Sequence, residues 1–223
     1  MTIKLYTGLG SGNSYKAELF LKLLSVGFEA IPVSIPKGEH REKAFMELTP
    51  FAQIPVLVDD EKVFTDSHAI LCYLARSYGG RDADKWLPVD PEGLARVMRW
   101  LSFSANEIQN GPTMARAAKL LGWAIDYDSA VEKSYRSLDL LDSHLQNNDW
   151  LATDDASIAD IACYPYMLLA AEGGIDTRPF GAVCAWIGRL ESIPGFWPMP
   201  RIPNLPEVPI VPHDRFLDVS KCR

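Results

Sequence analysis

The chain has 223 residues, enough for one large domain or two small ones, and a core of that size needs neither a metal nor a disulfide to hold it. With 48% hydrophobic and 23% charged residues it reads as an ordinary globular protein, and the net charge of −7 argues against nucleic acid or an anionic membrane as the main partner. No apolar run approaches the roughly 20 residues of a membrane span, and the opening "MTIKLYTG" has no basic segment leading into a long apolar one. The cysteines Cys72, Cys163, Cys184 and Cys222 never form C-x-x-C, so a reduced, cytoplasmic setting is expected. Cys72 and Cys163 sit in apolar helical patterns and read as inert core.

In chain order, "IKLYT" is a strand. A glycine-bearing turn follows, and from Ala17 the residues Phe20, Leu21 and Leu24 mark one face of a helix that Gly27 is expected to end. "FEAIPVSI" is a second strand, and Pro32 inside it suggests a sheet edge. "EKAFMELT" is a short helix. "IPVLVDD" and "KVFT" form a hairpin across a tight acidic turn. "DSHAILCYLARSYG" is a helix closed by Gly79, which completes a β-α-β-α-β-β-α order over residues 1–80.

Residues 81–90, "RDADKWLPVD", read as a polar linker. Residues 91–197 carry helical patterns throughout. Leu94, Val97, Met98, Leu101, Ala105 and Ile108 form one stripe, Val131, Leu138, Leu141 and Leu145 another, and Ile158, Ile161 and Ala162 begin a third. "SIAD", Ser157 to Asp160, is a capping-box variant with a structural role. The tail, residues 198–223, holds six prolines from Pro198 to Pro212 and reads as extended. Its apolar residues Ile202, Leu205, Val208, Ile210, Val211, Phe216 and Leu217 are too many for a solvated linker, so it is expected to pack as a strap.

An αβ half of about 80 residues followed by an all-helical half resembles the soluble glutathione transferases. Three motifs carry the resemblance: "PFAQIPVLVDD", like the segment with a cis-proline before a strand; "TDSHAI", like the acidic-Ser helix start; and "SIADIA", like the helical-domain capping box. The likeness covers roughly Ile3 to Trp197 and implies a thioredoxin-like first domain, an all-α second domain and a homodimer. It also implies glutathione as co-substrate and a small electrophile as second substrate.

The resemblance assigns glutathione contacts to Ile54, whose backbone would pair with the peptide beside a cis Pro55. Asp66 would meet the ligand ammonium, and Ser67, at a helix N-terminus, the carboxylate. Gln53, His40 and Lys37 are candidates for the glycine carboxylate. Ala52 and Gln53 stand where related classes often carry His or Lys.

A thioredoxin-like site would carry C-x-x-C at the mouth of the first helix. Here the stretch reads Ser11-Gly12-Asn13-Ser14. If glutathione brings the thiol, the protein has only to help it ionise. Lowering a thiol pKa by about two units takes about 2.7 kcal/mol. One hydroxyl bond to a charged group supplies about 1.5–3 kcal/mol, and a helix N-terminus about 0.3–1 more. By its place in "SGNSYK", Ser11 matches the serine of the family's serine-using classes, with Asn13 as a helper and Tyr6 as the rival. Ser14 falls in the first helical turn. Ser104, Asn110 and Arg116 are candidates to line the electrophile site between the halves.

The expected reaction is addition of the thiolate to an electrophilic carbon, with attack on a peroxide oxygen as an alternative. "SGNSYK" also resembles the "SxCSxR" start of glutathione-dependent cis–trans isomerases, from which it departs at Asn13. A non-catalytic binding or assembly module on the same fold is the further rival.

Overall fold

The structure is a computed structural model that describes residues 3–213. Phe216, Leu217 and Cys222 lie outside the described residues. Strand β1 (Ile3–Thr7) turns Ile3, Leu5 and Thr7 inward and Lys4 outward, the period-two pattern of a sheet. It pairs in parallel with β2 (Phe28–Pro32) and antiparallel with β3 (Val56–Asp59). The hairpin partner β4 (Lys62–Thr65) completes the order β2-β1-β3-β4. Pro32 is thus the last residue of an edge strand, where its missing N–H disturbs no ladder.

Helix α1 (Gly12–Leu23) begins earlier than the apolar periodicity suggests and ends before Gly27. The reason is local: Ser25 and Val26 donate back to the Lys22 and Leu21 carbonyls, with Ser25 at φ 55°, so the chain has left the helix before Gly27. A 3₁₀ turn (Glu39–Arg41) leads into α2 (Lys43–Met46), whose Phe45 packs with Val33 and Val56 on the sheet face opposite α1. Helix α3 (Ser67–Tyr78) packs beside α1.

Residues 81–90 are not a free linker. They contain α4 (Ala83–Trp86), whose Trp86 ring lies 5.1 Å from that of Phe20, and Leu87 is buried as well. Two apolar residues in a polar stretch are enough to fasten it. Helix α5 (Pro91–Phe103) starts at an Asp90 cap, which accepts from Gly93 N–H at 2.8 Å, with Pro91 at the first helical position. Its inward stripe is Val97, Trp100 and Leu101; Leu94 and Met98 face out, so the stripe read from the sequence is rotated. A π-helical stretch (Ser104–Thr113) then bends at Gly111–Pro112 into α6 (Met114–Leu120).

Helix α7 (Tyr127–Leu145) buries Val131, Leu138, Leu141 and Leu145. Helix α8 (Ile158–Leu168) is buried from Ile158 through Met167, as a helix apolar all round should be, and packs on α1, α3 and α5, joining the two halves. Its capping box is present, and Asp160 also accepts from Leu151 N–H at 3.0 Å and Trp186 Nε1–H at 2.9 Å.

After α9 (Gly181–Glu191) the chain turns back over α1. Trp197 takes a hydrogen bond from the Tyr15 hydroxyl, Met199 is buried, and Ile202 lies against Gly10. Val211 N–H then donates to Gly174 O at 2.8 Å, and His213 stacks on Tyr135 at 4.7 Å.

Candidate functional site

The start of α3 is built around Asp66. Its carboxylate accepts from the His68 and Ala69 N–H groups at 2.9 and 3.0 Å, and its backbone sits at φ 70°, an uncommon conformation for a residue other than glycine. Of the first-turn N–H groups, those two are taken and Ile70 N–H bonds the Asp66 carbonyl. The first helical N–H, that of Ser67, takes part in none of these bonds.

Ser67 and Asp66 line a cleft of about 260 Å³ together with Asn13, Gln53, Ile54 and Pro55. The Ile54–Pro55 peptide is cis. The β3 ladders on both sides begin at Val56, so the Ile54 N–H and C=O belong to no strand pair. An extended peptide could pair with them. Phe51, 69% exposed, stands at the rim, a contribution that its position in a turn does not announce.

At the start of α1, Ser11 is the N-cap and its Oγ accepts from Ser14 N–H at 3.2 Å. The Tyr166 phenol, from α8, faces the backbone N–H groups of Asn13 and Gly12. The contact explains Gly12, where a Cβ would meet the Tyr166 ring at 2.7 Å. With these N–H groups engaged, an anion arriving here meets side-chain donors instead: the Asn13 amide and the Ser11 hydroxyl, whose oxygen accepts while its proton remains to donate.

Ser11 itself does not line that cleft; it lines a second cavity, of about 190 Å³. Leu9, Tyr15, Pro32, Met199 and Pro200 give it apolar walls, so the strap closes one side. Glu18 is its acidic group; burial raises the carboxyl above its usual range, while the Thr7 hydroxyl hydrogen-bonds to it. Arg116 fixes the turn between the cavities, donating to Gly10 O at 2.9 Å and pairing with Glu172 at 2.6 Å. Gly10 has φ 77°, and a side chain there would strike Ile202.

The other sequence candidates fall elsewhere. Tyr6 faces the opposite side of the sheet from Leu5 and Thr7, and its ring packs on Phe45 at 5.9 Å, so it lines neither cavity. Lys37 is exposed in a turn, and His40 lies in the 3₁₀ turn with a buried, unpartnered Nδ1; neither lines the cleft. Ser104 is buried rather than open to a substrate, and Asn110 is exposed and bonded to Asn106 at 3.0 Å. Unforeseen in the sequence is Lys16, fully buried behind the cleft with its ammonium on His68 and Ser104. Among the described residues no cluster of His, Cys, Asp and Glu could hold a metal, and no helix is long and apolar enough to cross a membrane.

This arrangement has counterparts. Residues 1–76 match the family model described as glutathione S-transferase, N-terminal domain, and residues 119–194 the corresponding C-terminal domain. Glutathione S-transferase 3 of Zea mays is 30% identical over 206 residues, covering 87% of this chain and 91% of its own. The disulfide-bond oxidoreductase YfcG of Escherichia coli is 28% identical, with 82% and 87% covered. A crystal structure of a glutathione S-transferase from Pseudomonas fluorescens superposes with a TM-score of 0.81 at 32% identity, over 88% of this chain and 98% of that one. Fold, cleft and similarity agree: the chain belongs to the glutathione S-transferase family.

Proposed function

We propose that the protein is a glutathione transferase that binds glutathione in the 260 Å³ cleft and adds its thiolate to a small electrophile in the neighbouring cavity. The observation that carries this reading is the convergence of Asn13, Gln53, Ile54, Asp66 and Ser67, from three separate elements, on one cleft. The Ile54 backbone pairs with the peptide, the Ser67 N–H and hydroxyl take the γ-glutamyl carboxylate, and Asp66 takes the ammonium. Gln53 is within the same cleft for the glycine carboxylate.

The sulfur then points to the start of α1. Ser11 donates its hydroxyl proton to the thiolate and Asn13 adds an amide, which lowers the thiol pKa and raises the fraction of nucleophile at neutral pH. The electrophile enters between Leu9, Tyr15 and the strap residues Met199 and Pro200. The thiolate attacks its electrophilic carbon, a C–S bond forms, and the displaced group or the electron pair of an opened bond leaves with solvent protonation.

Isothermal calorimetry tests the binding. Asp66→Asn keeps the helix cap but removes the charge that meets the ammonium, a bond worth about 1.5–3 kcal/mol. Glutathione affinity should fall roughly 10- to 100-fold. Equal affinity for both proteins sinks the assignment. A second reading, attack of the same thiolate on a disulfide sulfur, has support from the Escherichia coli relative named an oxidoreductase. Release of mixed disulfide rather than thioether separates the two.

We also infer a homodimer in the cytoplasm. Exposed Leu94 and Met98 on α5 and Phe51 at the cleft rim support a self-complementary interface, and the free Cys72, Cys163 and Cys184 support a reducing setting.

A further inference from the structure

Lys16 stands three residues after Asn13 on α1, on the same helical face, and is sealed from solvent where α1, α3, the π-helical stretch and α8 meet. Its ammonium donates to His68 Nε2 at 3.1 Å and to Ser104 Oγ at 3.2 Å, and lies 5.7 Å from the Tyr166 ring centroid. Ser104 directs its own proton to the Ala162 carbonyl at 2.8 Å. A charged lysine can only donate, so with Lys16 protonated the His68 Nε2, which also lies 3.2 Å from Ser104 Oγ, is the acceptor. Both hydrogen-bond partners are neutral, and among the described residues no carboxylate hydrogen-bonds to the ammonium.

Among the described residues, the charged and titratable groups around it come from α3 with its cap and from α8. Asp66, just before α3, acts across space; His68 lies on α3; Cys163 and Tyr166 lie on α8. Burial raises the Cys163 thiol and the Tyr166 phenol, so both stay neutral, and burial with the nearby lysine lowers His68 to about 4. Burial lowers Lys16 to about 8, which leaves it charged at neutral pH. An ammonium held among neutral partners is costly to bury, so its field is a property the fold maintains against a penalty. The nearest turns of α1 and α3 carry Asn13 and Ser67, both in the cleft wall.

We propose that Lys16 is a positioning residue that stabilises the bound thiolate through space, from behind the wall formed by Asn13 and Ser67. The inference rests on glutathione binding in that cleft. The ligand ammonium, paired with Asp66, offsets the negative potential that Asp66 sets against Lys16, so the positive potential of Lys16 at the sulfur is less cancelled. At an effective dielectric of about 20, a unit charge within about 10 Å of a thiolate moves its pKa by roughly one unit or more.

Two measurements test it. The first is ultraviolet thiolate absorbance of bound glutathione against pH, in the unsubstituted protein, Lys16→Met and Lys16→Arg. Lys16→Met should raise the bound thiol pKa by about one unit. Its affinity for S-methylglutathione, which has no thiol to ionise, should stay within about threefold, and Lys16→Arg should keep the low value. An unchanged thiol pKa in Lys16→Met overturns the proposal.

The second measurement needs no substitution and holds even if Lys16→Met does not fold. By reciprocity, the thiolate must raise the pKa of Lys16 by as much as Lys16 lowers that of the thiol. In ¹⁵N-lysine spectra, the Lys16 titration should move up by about one unit with glutathione relative to S-methylglutathione. Coincident titrations overturn the role of Lys16 while leaving glutathione binding intact. Failure of the unsubstituted protein to bind either ligand overturns the underlying reading and the proposal with it.

Discussion

Asp160→Asn is the sharpest probe of what holds the helical half together, since all of the partners of Asp160 lie there. The carboxylate is fully buried, and burial raises its pKa against the donors that surround it. Oδ1 accepts from Leu151 N–H at 3.0 Å and Trp186 Nε1–H at 2.9 Å, while Oδ2 accepts from Ser157 N–H at 2.9 Å and Ser157 Oγ–H at 3.1 Å. An asparagine can present one oxygen, to one of these pairs. Its NH₂ then faces the other pair and orphans at least one buried N–H. An orphaned buried donor costs about 1–3 kcal/mol, and loss of the ionic character of the remaining bonds adds to it, so about 2–4 kcal/mol is expected in all. For a chain of this length that lowers the melting temperature by roughly 5–12 °C. Differential scanning fluorimetry with a urea series measures it. A melting temperature within about 1 °C of the unsubstituted protein would refute the reasoning, since four donors on one buried carboxylate cannot lose their acceptor without cost.

Truncation after Pro198 removes Met199 from the second cavity, Ile202 from Gly10 and the Val211–Gly174 hydrogen bond. Burial of one such apolar side chain is worth about 1.5–3 kcal/mol, so a lower melting temperature and an altered electrophile profile are expected; unchanged values of both would show that the strap does nothing. Stability should fall as pH drops from about 6.5 toward 4, because the unfolded chain protonates His68 in that window while burial beside Lys16 keeps the folded ring neutral to about 4. Lys16 acts in the opposite range: the unfolded lysine holds its proton to about 10.5 and the folded one only to about 8, so stability gains between them as pH rises. His68→Gln should flatten the acid side of urea-derived stability, and an equally steep decline in that variant would contradict the assignment. Light scattering at micromolar concentration should give twice the chain mass of 24.8 kDa, and a value near 24.8 kDa would exclude the dimer.

What was legible in the sequence is what short-range chemistry determines. Strand alternation, the hairpin, and the Asp66–Ser67 and Ser157–Asp160 helix starts are all written in neighbouring residues, and each has its element in the structure. Gly27 misled because a helix can end on its own backbone hydrogen bonds two residues sooner. Lys16 was invisible: in "SYKAELFLKLL" it looks like a solvated residue, and its burial comes from α3 and α8, which meet it only in the fold. Trp86 and Leu87 were lost in a polar stretch for the same reason, since their partners lie far away in the chain. Tyr6 was set aside by its own strand, where a one-residue step changes sheet face. Ser104 is polar, yet it stands seven residues after Val97 and three after Leu101, on the inward face of the helix, and is buried there.

The central claim is that side-chain donors at the start of α1 hold the glutathione sulfur as a thiolate. The direct measurement is the absorbance of bound glutathione thiolate against pH in the unsubstituted protein, Ser11→Ala and Asn13→Ala. The expected result is a bound thiol pKa about two units below that of free glutathione, rising by about one unit or more in Ser11→Ala, with affinity within a few-fold and turnover at neutral pH down roughly 10- to 100-fold. Coincident titrations of the unsubstituted protein and Ser11→Ala would contradict it and leave Ser11 as a helix cap alone, with Asn13→Ala deciding whether the amide takes its place.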